Sequence, residues 1–111
     1  MTYVLLLTRG AWQEAGGPES EAVFAQIGAW WAERVARGII VGGQRLAPPD
    51  TATTLVVDEG RATVVDGPFI ESKDAIGGFA LIDARDLDEA ISIARSFPVP
   101  DGRVEVRPTV A

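Results

Sequence analysis

Thr53-Thr54-Leu55-Val56-Val57-Asp58-Glu59-Gly60-Arg61-Ala62-Thr63-Val64-Val65 is the stretch on which the fold turns. Two runs rich in β-branched residues, Thr53 to Val57 and Ala62 to Val65, flank Asp58-Glu59-Gly60-Arg61, where Gly60 is free to take the positive φ of a tight hairpin turn. The segments on either side repeat one order. Upstream, Tyr3-Val4-Leu5-Leu6-Leu7-Thr8 is apolar on both alternations, the pattern of a central strand covered on both faces. Gly10 to Gly17 reads as a loop, after which Pro18 takes the first position of a helix whose positive end is complemented by Glu19 and Glu21. Phe24, Ile27, Trp31 and Val35 then recur at helical spacing, away from Glu33 and Arg37, and Gly38 suits the left-handed position that closes a helix. Ile39-Ile40-Val41 runs into Gly42-Gly43 as a strand, and Pro48-Pro49 forbids regular structure beyond it.

Downstream of the hairpin, Gly78-Phe79-Ala80-Leu81-Ile82 is a further strand. Asp86 and Glu89 then stand at the spacing of a capping box ahead of Leu87, Ala90, Ile91 and Ala94. That helix stops before Pro98, and Val104 and Val106 alternate with Arg103, Glu105 and Arg107 in a last, half-buried strand. The order is therefore β-α-β, hairpin, β-α-β. It predicts an α+β fold, a ferredoxin-like sandwich with an inserted β-hairpin and both helices on one sheet face. The opposite face would be a large apolar patch on a monomer, so a homodimer is expected.

The 111 residues suit one domain over 1–111, with no repeat and no linker. Apolar residues make up 47% and charged residues 23%, an ordinary globular balance that argues against disorder. Sixteen acidic against ten basic residues give a net charge of −6, the wrong sign for following a phosphate backbone, so nucleic acid is not an expected partner. With no cysteine and no histidine, disulfides, thiol nucleophiles, the usual zinc sites and imidazole catalysis are all removed. Val4 to Leu7 is far too short an apolar run to span a membrane and lacks a basic lead, so a cytoplasmic protein is expected.

The densest polar stretch is Asp66-Gly67-Pro68-Phe69-Ile70-Glu71-Ser72-Lys73-Asp74. Asp66 fits an Asp-Gly-Pro turn, its carboxylate bonding nearby backbone N–H groups while Phe69 plugs the core. The catalytic alternative makes Asp66 or Glu71 a base raised toward neutrality by burial, with Lys73, the single lysine, as nucleophile or anion holder. Glu71, Lys73 and Asp74 also fit a solvated loop. Arg9, Arg45 and Arg107 lie at or near strand ends, where a guanidinium could clamp a carboxylate ligand or pair with an acidic side chain. Trp30 and Trp31 are adjacent on a helix and point about 100° apart, so one can fill the core while the other lines a cleft. The bland arrangement puts Trp31 in the core and Trp30 at its edge; the functional one makes Trp30 a ligand contact. Gly42-Gly43 and Gly77-Gly78 lack phosphate-loop spacing and read as bulges, turns or close backbone approaches. The acidic residues are scattered, so neither a metal nor a cofactor is expected.

Taken together, Val65-Asp66-Gly67-Pro68-Phe69, Glu71, Lys73 and Gly77-Gly78-Phe79 resemble the signature of the DGPF group of YCII-related proteins. The resemblance extends to the aliphatic first strand, to Gly42-Gly43 followed by Leu46 and Pro48, to Asp86-Leu87-Asp88-Glu89-Ala90, and to Val104-Glu105-Val106-Arg107-Pro108. It implies a dimeric α+β barrel of ferredoxin-like protomers. It also implies kinship with small-molecule enzymes that use a His and Asp pair, a pair that a chain without histidine does not contain. The expectation is a small-molecule-binding or accessory protein whose ligand is a small organic anion or polar aromatic. One alternative is a cofactor-independent enzyme for proton transfer, elimination or isomerisation, with Asp66 or Glu71 as base and an arginine or Lys73 holding an enolate-like anion. Another, implied by the family's frequent encoding beside alternative sigma factors, is a partner in sigma-factor-linked regulation.

Overall fold

The computed structural model describes residues 1–69 and 75–111. The elements run β1 (Thr2–Thr8), α1 (Gly10–Ala15), α2 (Gly17–Ala36), β2 (Ile40–Arg45), a single 3-10 turn at Pro49–Thr51, β3 (Thr53–Asp58), β4 (Arg61–Asp66), β5 (Ile76–Asp83), α3 (Leu87–Arg95) and β6 (Val104–Pro108). Four strands form one antiparallel sheet in the order β2-β5-β1-β6, and β3-β4 is a separate two-stranded sheet. This mixed α+β arrangement is consistent with a ferredoxin-like fold carrying the hairpin between β2 and β5.

The sheet has two unequal faces because strand side chains alternate. On β1, Tyr3, Leu5 and Leu7 are buried, and on β5 Gly78, Ala80 and Ile82 are. Trp30 of α2 and Ala90 of α3 join the same buried cluster, so both helices cover this face. The other face carries Val4, Leu6, Phe79 and Leu81, paired across strands as Val4 with Leu81 and Leu6 with Phe79, and these stay half-buried. Val104 and Val106 of β6 pack toward the core, and Glu105 and Arg107 stand on the open face opposite Leu6 and Val4.

The helix ends follow their sequence signals. Gly38 takes φ +74°, and the bonds Gly38 N to Val35 O (3.0 Å) and Ile39 N to Arg34 O (2.9 Å) close α2 as a Schellman motif. Asp86 caps α3, its Oδ1 accepting from Glu89 N at 2.9 Å. The Glu89 carboxylate reaches back to Arg85 N (3.1 Å), one residue earlier than the usual capping box.

Several expectations change. Gly10 to Gly17 is not a loop throughout, since Gly10–Ala15 forms the short helix α1. Its first donors are satisfied from far along the chain, Asp101 Oδ1 accepting from Ala11 N at 2.7 Å and Trp12 N at 3.4 Å. Of the stripe expected on α3, Ala90 is buried and Ala94 packs on the core, but Leu87 and Ile91 are exposed and Ile93 and Phe97 take their place. β6 and Trp30 lie on that side of the helix and set which residues are covered.

The β3-β4 hairpin forms where expected. Glu59 (φ 49°) and Gly60 (φ 77°) both adopt positive φ, the two-residue type I′ turn that matches strand twist. Leu55, Val57 and Val64 share one face of it, by the pairings Leu55 with Val64 and Val57 with Ala62, and they are 59%, 67% and 65% exposed. The hairpin thus projects from the body, and the radius of gyration, 15.5 Å, exceeds the roughly 13 Å of a compact chain this long. Phe69 beyond it is 88% exposed, which corrects its expected role as a core plug. Phe69 follows the base of the arm and borders a surface recess with Leu46, Pro48 and Ile76 rather than entering the core.

Candidate functional site

A cavity of about 360 Å³ opens between the sheet and the helices at the end of the face away from Ala90. Part of its floor is bare backbone, because Gly43 of β2 and Gly77-Gly78 of β5 lie there beside Leu7 and Thr8 of β1. Gly43 has φ +131°, and a Cβ on it would sit 2.8 Å from the Trp31 Cη2 and 2.9 Å from Ala80 Cα. No side chain fits without moving the neighbouring strand. The strand register shifts between Ile40 and Gly42, so the glycine pair marks a bulge as well as a close approach, as its sequence suggests.

The walls are aromatic and come from the helices. Phe24, Ile27 and Trp31, the stripe legible on α2, face this cavity, while Val35 at its far end is exposed. Gly28 completes that wall, and a Cβ built on it meets nothing within 4 Å. α1 contributes Trp12, whose ring meets Phe24 edge-on at 4.9 Å between centroids. Trp12 Nε1 is buried and has no hydrogen-bond partner among the described residues. A donor left in this way costs about 1–3 kcal/mol. α1 itself is pinned at its start by Asp101 and joined to α2 through Gly16 and Gly17, both at positive φ.

The polar groups at the rim differ in how far they are engaged. Arg45 lies with its Cζ 3.7 Å from the centroid of the Phe24 ring, a cation–π contact, and no carboxylate pairs with it among the described residues. Arg9 borders the recess next to the cavity but is held by Glu14 at 2.6 Å. Gln13 and Gln44 supply the neutral polar atoms of the wall.

The two adjacent tryptophans divide the labour in the reverse of the expected sense. Trp30 is 6% exposed and belongs to the core, its Nε1 donating to Ser96 Oγ at 2.9 Å, its ring edge-on to Phe97 at 5.2 Å and beneath the Arg34 guanidinium at 4.7 Å. Trp31 lines the cavity. The cause is α3, which brings Ser96 and Phe97 to the Trp30 side of α2. Arg107 is not at this site, being ion-paired with Glu105 on the open face of the sheet. Asp66 is exposed at the end of β4 and does not line the cavity; among the described residues its carboxylate accepts no hydrogen bond. The turn there is held instead by Gly67 N to Ala52 O (2.9 Å) and Thr54 Oγ1 to Gly67 O (2.7 Å). Glu71 and Lys73 lie outside the described residues. Of the described site residues named from sequence, Arg45 lines the cavity, with Arg9 beside it.

Trp12 and Gly28 are among the wall residues not expected from the sequence. A tryptophan flanked by Gly10 and Gly16-Gly17 and a glycine inside a 20-residue helix were the available signals. Among the described residues, no group of three or more acidic side chains stands close enough to hold a metal, and no helix is long and apolar enough to cross a membrane.

Comparison with known proteins supplies a family. An uncharacterised protein of Rhizobium meliloti (strain 1021) is 39% identical over 93 residues, covering 81% of this chain and 75% of that protein. The model of the YCII-related domain matches residues 1–110, and the chain belongs to that family.

Proposed function

We propose that this chain is a small-molecule-binding or accessory member of the YCII-related family, its ligand held in the cavity between β2, β5 and the helices α1 and α2. The observation that carries this reading is the cavity itself. A space of about 360 Å³ with aromatic walls, a glycine-rich floor and a few polar groups at its rim has the make-up of a ligand site. The chain has no histidine, and Asp66 stands outside the cavity, so the reading is of binding rather than turnover. The Asp66-Gly67-Pro68-Phe69 stretch supports placing the chain in the DGPF group of that family. The protomer works as a homodimer in which the open sheet face, with Val4, Leu6, Phe79 and Leu81, meets a second copy. The exposed apolar side of the hairpin arm supports this, since an isolated two-stranded hairpin is marginally stable in water.

The test is a thermal-shift screen against small carboxylates, phenols and neutral aromatics, run on the wild type and on Gly28→Leu, which puts a side chain into the cavity wall. Binding to the native state adds about 2.7 kcal/mol of stability at a ligand concentration 100 times Kd, and the midpoint rises with it. A ligand that stabilises the wild type and not the folded Gly28→Leu variant is the expected outcome. If no compound stabilises the wild type, or if the variant responds equally, the cavity is not the binding site.

A further inference from the structure

The β3-β4 arm is apolar on both faces. By their cross-strand pairing, Leu55, Val57, Ala62 and Val64 form one, and Thr54, Val56, Thr63 and Val65 form the other. Val56 and Val65 are open to solvent by about half, and Leu55, Val57 and Val64 by more. The charged residues Asp58, Glu59 and Arg61 are confined to the tip and Asp66 to the base, so neither strand holds a charge or a proline between Thr53 and Val57 or between Ala62 and Val65. Natural edge strands are guarded by such residues, because a bare edge pairs with other chains. The arm lacks that guard, and among the described residues no strand of the body pairs with it.

The extent of the uncovered surface indicates what covers it. A compact monomer of 11.8 kDa exposes about 5,900 Å², whereas this chain exposes 7509 Å². The excess, more than about 1,000 Å², is larger than the roughly 800 Å² that each partner buries in a stable protein–protein contact. A second copy of the chain fits this surface. Under a two-fold axis each copy lays its arm on the other, so one partner covers both arms and the assembly closes. Chains of net charge −6 repel one another, and the charge-free strands of the arm are where two copies meet without that cost.

Resting on the homodimer reading above, we propose that the arm is a clasp: each protomer lays the Leu55, Val57 and Val64 face of its arm on a second copy of the chain, and this contact, not the sheet face alone, holds the dimer together. Of the two arm faces this is the more exposed, since Thr54 on the other is half-buried. Strands of six residues make the arm about 20 Å long, enough to carry a row of apolar side chains along a neighbouring chain.

The experiment is light scattering of the full chain at micromolar concentration, on the wild type, on the double variant Val57→Lys/Val64→Lys, and on Gln26→Lys, a charge control on the exposed surface of α2. The wild type and Gln26→Lys are expected at twice 11.8 kDa and the double variant at 11.8 kDa. Its dissociation constant rises at least about a hundredfold, because the contact has to take two lysines out of water. Both positions lie outside the core cluster, and circular dichroism checks that the fold is kept. The chain has no cysteine, so Val57→Cys is a clean second reporter. Its alkylation is expected to be at least about tenfold faster in the monomer reached by dilution than in the dimer, because access controls the rate. Gln26→Cys reacts at one rate throughout. A dimer that persists in Val57→Lys/Val64→Lys, or a Val57→Cys that reacts equally fast in dimer and monomer, overturns the clasp and leaves the sheet-face dimer standing. A wild type of 11.8 kDa at micromolar concentration overturns the clasp and the homodimer together and leaves the arm to a different protein.

Discussion

The two ends of one sheet face are built from the same strands and helices and arrive at opposite results. At the end nearer α3, the space between β1, β5 and the helices is filled by Tyr3, Leu5, Ile82, Ala90 and Trp30. At the other end, Gly43 and Gly77-Gly78 withhold side chains where Trp12, Phe24 and Trp31 have come close, and a cavity remains. The indoles report the same division. Trp30 donates to Ser96, whereas Trp12 has a buried N–H without a partner. Packing to native density is the rule in protein interiors, so a region lined with glycine and an unpaired donor is one whose residues serve something other than stability. The cavity follows from residue size at three strand positions, not from looser folding.

Substitutions at the two ends should therefore behave differently. The largest effect is expected at the filled end. Leu5 is fully buried at the centre of the cluster, and Leu5→Ala should lower stability by about 2–5 kcal/mol in urea denaturation. A loss below 1 kcal/mol would mean that this end is not close-packed. Next, Ser96→Ala leaves Trp30 Nε1 buried without its acceptor and removes a partner of Arg34, at a cost of about 1–3 kcal/mol. Trp12→Phe, by contrast, removes a donor that has no partner and should leave the unfolding midpoint unchanged or raised. If the two changes destabilise equally, the distinction between the indoles fails. The smallest effect is a gain. Gly28→Ala adds a Cβ into open space within α2 and should stabilise by about 0.5–1 kcal/mol, a rise of a few degrees in Tm. A loss there would show that the wall is tighter than the geometry indicates.

What the sequence displayed about the fold, and what it hid, follows from where each determinant lies. The hairpin turn, the Gly38 helix end and the Asp86 cap are set by residues within three or four positions of one another, and all were legible. α1 was not, because the group that satisfies its first N–H donors is Asp101, ninety residues later in the chain. The stripe Phe24, Ile27 and Trp31 was legible as a stripe, but periodicity says only which side chains share a face. Whether that face meets a packed core or a cavity depends on the size of residues on β2 and β5. For Trp30 and Trp31, the angle between neighbours on a helix was known in advance, and the side that becomes core was decided by Ser96 and Phe97. Phe69 shows the same limit: a turn motif specifies local backbone, and whether the side chain beyond it reaches the core is a tertiary property. Of the site, Arg45 was legible from its place at a strand end, whereas the role of Trp12 needed the fold.

The chain has three tryptophans, at 12, 30 and 31, and each gives one indole N–H signal in a nitrogen-15 correlation spectrum. Titration with a compound that stabilises the wild type in the thermal-shift screen, with assignments from Trp12→Phe and Trp31→Phe, sets the two ends of the face against each other in a single experiment. If the cavity holds the ligand, the signals of Trp12 and Trp31, which line it, move, and that of Trp30, bonded to Ser96 in the core, stays close to its starting position. A Trp30 shift as large as that of Trp31, or no movement of either cavity tryptophan at saturation, would contradict it.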